Sequence, residues 1–163
     1  MASQKKPGSE REHPKSHILH LSSAVAVFIV ITLDSFVFKI SSRVLGFIPW
    51  YVGVILCGLL FSIAAILMYK SHEVLFGKDH AGPSTLITEG IFAHTRNPMY
   101  LGALLIHLSF IFLTMSLLGL AAWIVVVIIY NRMVIFEEKI LEEMFGEDFR
   151  AYKEKVPRWI LFK

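Results

Sequence analysis

Cysteine is almost missing from this sequence: Cys57 is the only one, and it lies inside an apolar run. An internal disulfide and a cysteine cluster for metal are both excluded. No Gly-x-Gly-x-x-Gly loop occurs, so the dinucleotide-type cofactor fold of soluble enzymes is not expected. His72, His80 and His94 are spaced eight and fourteen residues apart, which gives no helical or hairpin ligand pair, and no metal site is predicted. Charge is also scarce where a soluble surface would need it. Charged residues make up 18% of the 163. Yet Asp34 is the only one between Ile18 and Phe38, and Val44 to Tyr69 and Asn97 to Asn131 contain none.

Long uncharged runs are what the chain has in their place. With 55% hydrophobic residues and a mean hydropathy of +0.62, it is too apolar for an ordinary soluble domain. Crossing hydrocarbon takes about 20 apolar residues per helix, so the first two runs predict one span each, about 18–38 and 47–69. The third run is too long for one span. A hairpin bent at Gly119, beside Thr114 and Ser116, accounts for it. The expected fold is an all-α integral membrane protein with about four transmembrane helices, a C-terminal hairpin and an amphipathic cytoplasmic helix. A mobile polar tail (1–16), a two-helix anchor (17–70) and a catalytic part (71–163) divide the chain. The first span has no small-residue cleavage site and exceeds a signal-peptide core, so it is expected to stay as an anchor.

An even number of spans puts both termini on one side. Fourteen of the 16 Lys and Arg residues then share that side, and only Lys39 and Arg43 fall on the other. This bias places the termini and the 70–96 loop in the cytoplasm. The pI of about 9.0 thus reflects topology and requires no nucleic-acid partner.

Polar residues inside and beside the runs carry the chemistry. In Arg96-Asn97-Pro98-Met99-Tyr100, Asn97 is expected to cap a helix whose first residue is Pro98, where the missing N–H has no partner to lose. Arg96 then stands at the helix mouth and Tyr100 one turn inside. Tyr100, Ala103, Leu104, His107 and Ile111 share a face, so His107 either bonds a neighbouring helix or lines a polar pocket. His17, His20 and Asp34, near the ends of the first span, are expected to reach interfacial water. Gly53 and Cys57 form a small-residue pair for close helix packing. The 70–96 loop, with short apolar runs between glycines, is expected to fold back on the bundle as a lid or cofactor shelf. In the last helix Glu137 is expected at the centre of a stripe of Met133, Ile140, Leu141 and Met144. Glu142 and Glu143 look solvated, and Gly146 is the C-cap. A carboxylate on an apolar stripe needs a cation or donor, either a bound ligand or a salt bridge to Arg96 or a loop lysine.

These residues resemble a known family. Thr88-Glu89-Gly90-Ile91-Phe92, Arg96 to Gly102, Glu137-Glu138 with Leu141, and Phe145-Gly146 with Phe149 and Tyr152 are similar to the membrane methyltransferases of the isoprenylcysteine carboxyl methyltransferase family, which includes phospholipid-methyltransferase-like members. The likeness covers roughly residues 84–158. It implies S-adenosylmethionine as cofactor, held by Thr85, Leu86, Ile87, Phe92, Asn97, Pro98, Met99, Tyr100 and Glu137. Arg96 and Arg132 are the candidate catalytic residues. Arg96 has the planar fork that holds a carboxylate, and Arg132 stands beside Met133, where some members carry an arginine. Asn97 replaces the family's usual histidine, which points to a prokaryotic plasma membrane.

The implied acceptor is lipid-like and enters from the bilayer. A prenylcysteine-type carboxylate is the expected nucleophile, because it is already ionised at neutral pH and would partner Arg96. A phospholipid amine is the alternative and needs a base. An NADPH-dependent lipid reductase and a non-catalytic membrane subunit are the readings from other classes.

Overall fold

A computed structural model describes residues 16–76 and 85–159. Among them every regular element is a helix. The polar tail 1–16 lies almost wholly outside the described residues, as do 77–84 with His80.

Helix α1 (Ser16–Thr32) runs on through a π-helical turn, Leu33–Phe38. Lys39, in the left-handed region at φ 54°, reverses the chain into α2 (Ile40–Leu45). Next come α3 (Trp50–Phe76), a 3₁₀ turn (Gly90–Ala93), α4 (Pro98–Thr114), α5 (Leu117–Phe145) and α6 (Glu147–Lys155). Three stretches are long and apolar enough to cross a membrane: Ile18–Phe38, Trp50–Leu75 and Leu117–Phe145. Large side chains such as Phe28, Trp50, Ile55 and Ile128 remain exposed along them, as expected of surfaces facing lipid.

The long third run does fold as a helical hairpin, but not as two full spans. Helix α4 has 17 residues, which rise about 25 Å, less than the roughly 30 Å hydrocarbon core. The expected four spans are therefore three of full length and one shorter apolar helix. The bend falls at Met115 and Ser116 and not at Gly119. Met115 takes the left-handed conformation at φ 49°, and Ser116 N–H closes back on the Ile111 carbonyl at 3.1 Å. Ser116 then caps α5 by accepting from Gly119 N–H at 2.9 Å. Gly119 serves close packing, since a Cβ there would stand 2.9 Å from Ile31 of α1. Gly53 does the same where α3 meets the end of α4, 2.6 Å from the Phe112 carbonyl oxygen.

Helix α3 extends to Phe76 and absorbs the start of the expected loop, so His72 is helical. The core is built from Val27, Ile31, Tyr100, Leu104, Val126, Tyr130 and Val134 of α1, α4 and α5. A smaller cluster, Phe149, Tyr152 and Val156 with Leu86, Leu141 and Phe145, docks α6 beneath the bundle. Gly146, at φ 53°, turns the chain from α5 into α6.

At the far end Asp34 is fully buried rather than at interfacial water. Its carboxylate accepts from the Ser41 N–H at 3.1 Å, from the Ser41 and Ser116 hydroxyls, and from the Leu118 N–H at 3.3 Å. One charge thereby ties α1, α2 and the start of α5 together, which meets the demand that a buried charge be fully hydrogen-bonded.

Candidate functional site

Two glutamates adjacent in sequence face different partners at the opposite end of the bundle. Glu138 is the buried one, 5% exposed. Arg96 donates to it through Nε at 3.0 Å and Nη2 at 3.0 Å. Arg158 grips its other oxygen through Nη2 at 2.8 Å. Asn97 Nδ2 approaches it at 3.5 Å. Arg96 also donates through Nη1 to the Lys153 carbonyl at 3.1 Å and to that of Val156, while its backbone N–H meets the Pro157 carbonyl at 3.1 Å. Its fork therefore fastens the chain after α6 onto the mouth of α4. Thr95, fully buried, adds a bond to the Arg158 carbonyl at 3.0 Å, and Asn131 Oδ1 accepts from Trp159 Nε1 at 3.3 Å.

Glu137 is only half-buried. It accepts from the Tyr100 hydroxyl at 2.7 Å. The apolar stripe expected to centre on Glu137 is in fact turned by one residue. From Tyr130 onward the buried positions of α5 are Tyr130, Met133, Val134 and Glu138, and Met144 is 45% exposed. The salt bridge to Arg96 considered for Glu137 belongs to Glu138.

Asn97 sits at the N-cap position of α4 but makes no side-chain cap. Its amide turns instead to Glu138 and to the Arg158 carbonyl, at 3.4 Å. Pro98 is buried at the first helical turn, while Met99 is 37% exposed beside it. Phe92 offers its carbonyl to the Tyr152 hydroxyl at 2.6 Å. Burial pushes the Tyr152 hydroxyl above the usual tyrosine range, partly offset by nearby Arg96. Leu86 packs against the α6 cluster, Ile87 is half-buried and Thr85 is exposed. Arg132 is exposed and makes no contact with Arg96 among the described residues. It lines a groove of about 830 Å³ along α5, with apolar Leu19, Ile128 and Phe136, basic Lys139 and Arg158, and acidic Glu138 and Glu142.

Sequence reasoning missed a polar cluster between α1, α4 and α5. The Tyr130 hydroxyl, fully buried, meets His20 Nδ1 at 2.8 Å and Ser23 Oγ at 2.8 Å. The His20 ring lies 4.9 Å from that of Tyr100 and 4.7 Å from that of Tyr130. His107 closes the cluster from α4, its ring 6.5 Å from Tyr130. It is 8% exposed, with Nδ1 unpartnered among the described residues. The shared face of Tyr100 and His107 was legible in the spacing, but the partners from α1 and α5 carry no local signal.

The donor set suits S-adenosylmethionine: a carboxylate in Glu137 for amino or ribose hydroxyl groups, and apolar Leu86, Ile87 and Phe92 for an adenine ring. Among the described residues no group of His, Cys, Asp and Glu is placed to hold a metal.

A family model described as phospholipid methyltransferase matches residues 48–148, well over half of the chain. An uncharacterized protein of Haemophilus influenzae is 41% identical over 63 residues, which cover 38% of this chain and 100% of that protein. No solved structure matches.

Proposed function

The chain belongs to the phospholipid methyltransferase family of membrane methyltransferases, and on that premise we propose that it methylates the amine head group of a lipid with S-adenosylmethionine as donor. The observation that carries the reading is the meeting of the two separated motifs, Tyr100 Oη to Glu137 at 2.7 Å and Arg96 to Glu138 at 3.0 Å. The cofactor supplies a methyl group made electrophilic by its sulfonium.

Each residue then has a task. Glu137, oriented by Tyr100, holds the cofactor, with Thr85, Leu86, Ile87, Phe92 and Asn97 to Tyr100 around it. Arg96 and Glu138 fix the mouth of α4 so that Tyr100 keeps its place. That makes Arg96 a positioning residue, in preference to the catalytic role expected of it. Arg132 lines the groove whose apolar wall suits a lipid chain, and it offers, with Lys139, a cationic edge for the lipid's phosphate.

The choice of acceptor follows from two changes of premise. A carboxylate acceptor was expected to partner Arg96, whose fork is now engaged by Glu138 and backbone carbonyls. An amine was disfavoured for want of a base, yet His20 lies within ring contact of Tyr100. The site faces the cytoplasm in this reading, on the side where the basic residues gather.

Calorimetric titration with S-adenosylhomocysteine and with NADPH tests the cofactor, and assay with phosphatidylethanolamine and with a prenylcysteine analogue tests the acceptor. Binding of NADPH alone, or methylation of the prenylcysteine alone, overturns the corresponding half.

A further inference from the structure

Ile18–Phe38 and Trp50–Leu75 are both long and apolar enough to cross a membrane, and residues 39–49 join them at the far end of the bundle. A connection standing in water needs polar side chains. This one has the reverse: Phe47 and Trp50, 81% and 78% exposed, are the two most exposed large apolar side chains of the described residues. Phe36, Ile40 and Val44 are exposed beside them. We infer that the segment from Lys39 to Trp50 lies in the plane of the bilayer interface and binds the head groups of anionic phospholipids in the leaflet at that end. The inference goes beyond the reaction proposed above and does not depend on it.

Bonds to one residue fix which way the segment faces. Ser41 is fully buried, gives its N–H (3.1 Å) and its hydroxyl to Asp34, and accepts the Leu117 N–H at 2.7 Å. Each residue of α2 advances about 100°, so Arg43 stands about 160° from Ser41 and on the side away from the bundle. Lys39, four residues earlier, is exposed like Arg43. Ile40 and Val44, one turn apart, form an apolar flank. Phe47 and Trp50 carry the exposed surface on to α3, where the Trp50 and Tyr51 rings meet edge to face with centroids 6.3 Å apart.

Charge identifies the occupant. Lys39 and Arg43 are the only Lys or Arg residues between Ile18 and Tyr69, and no acidic residue occurs between Asp34 and Glu73 or from Gly90 to Phe136. Asp34 itself is fully buried and engaged by Ser41, Ser116 and the Leu118 N–H. Among the described residues this end therefore has two exposed cations and no exposed anion to set against them. Aromatic and aliphatic side chains around basic ones are the composition of an interfacial segment, in which attraction to anionic lipid adds to burial of apolar area. An acidic soluble protein would meet the cations but not the apolar flank. That flank continues into exposed Leu33 and Phe36 of the first stretch and Val54 and Ile55 of the second, which is the continuity a lipid surface requires.

Quenching of Trp50 fluorescence tests this without turnover. The Trp50 emission is the wild-type signal minus that of Trp50→Phe, in vesicles of equal parts phosphatidylglycerol and phosphatidylcholine, with bromines on one lipid or the other. Bromines placed high on the acyl chains should quench more than bromines near the chain ends. Brominated phosphatidylglycerol should quench as if enriched around Trp50 by about fivefold per cation at low salt. That enrichment should fall toward one in the double variant Lys39→Gln/Arg43→Gln, whose thermal midpoint should match the wild type because both side chains are exposed. It should fall likewise in the wild type at about 1 M salt, a readout that needs no variant. Equal quenching by the two lipids, or a preference that neither salt nor the double variant reduces, overturns the binding of anionic head groups. A Trp50 open to aqueous acrylamide and untouched by either brominated lipid overturns the interfacial placement as well and leaves the patch to a protein partner.

Discussion

The guanidinium of Arg96 and the carboxylate of Glu138 meet at 3.0 Å with their side chains only 9% and 7% exposed. A pair so deeply withdrawn from water is held less by its mutual attraction than by the completeness of its surroundings, here Arg158, Asn97 and the carbonyls of Lys153 and Val156. Removing one member leaves the others charged and stranded.

Glu138→Gln should accordingly lower stability by about 3–5 kcal/mol. Thermal unfolding in detergent checks this, and a midpoint equal to the wild type would show that the pair is dispensable. Arg96→Lys should destabilise as well, because an ammonium cannot reach a carboxylate and two carbonyls in the geometry of a planar fork.

Glu137→Gln is expected to behave differently. The side chain is half-buried and bonded to Tyr100, so folding should persist while the cofactor site weakens. Loss of a charge-assisted hydrogen bond costs about 1.5–3 kcal/mol, or roughly 10- to 150-fold in affinity for S-adenosylhomocysteine. Unchanged affinity in a folded variant would assign Glu137 to structure.

How far the sequence foretold this end of the molecule depends on the residue. The helix start at Pro98, the helical hairpin and the C-cap at Gly146 were legible because each has a local chemical signature. The choice between Glu137 and Glu138 was not. Helix α5 is apolar on nearly every side through its first turns, so its periodicity has no phase to extend into the polar segment. A displacement of one residue, about 100° round the helix, then goes undetected. The partners of Arg158 and His20 were missed for another reason: each is met across a long stretch of chain, 20 residues to Glu138 and 110 to Tyr130, and spacing says nothing about such pairs.

Asp34→Asn should separate the two ends of the bundle. Its charge satisfies donors from Ser41, Ser116 and Leu118, and weakening those bonds should cost about 1.5–3 kcal/mol of stability. Affinity for S-adenosylhomocysteine should stay at the wild-type value, since the knot and the cofactor site share no contact among the described residues. A large loss of affinity in the folded variant would mean that the ends are coupled.

Tyr152 gives a pH signature. Its hydroxyl, 7% exposed and bonded to the Phe92 carbonyl, is held by burial above the usual tyrosine pKa. A group raised in the folded state favours folding fully below its unfolded pKa, about 10, and that contribution fades as pH climbs toward the folded value. Stability should therefore decline on the alkaline side above about pH 10, and less steeply in Tyr152→Phe. Parallel declines in the two proteins would remove Tyr152 from the alkaline balance.

The Asp34 knot also bears on membrane asymmetry. From Ser116 to Glu138 helix α5 rises roughly 33 Å, enough to put the knot and the two glutamates on opposite leaflets if α5 crosses the bilayer as its length and composition allow. The knot leaves the distal leaflet a sealed, fully hydrogen-bonded floor, while every candidate contact for the cofactor or a lipid head group lies at the proximal one. Under the proposed function, such an enzyme would work on one monolayer only. For the proposed reaction, newly methylated lipid would be laid down on a single side, and its appearance on the other would report the rate at which that membrane turns its lipids over.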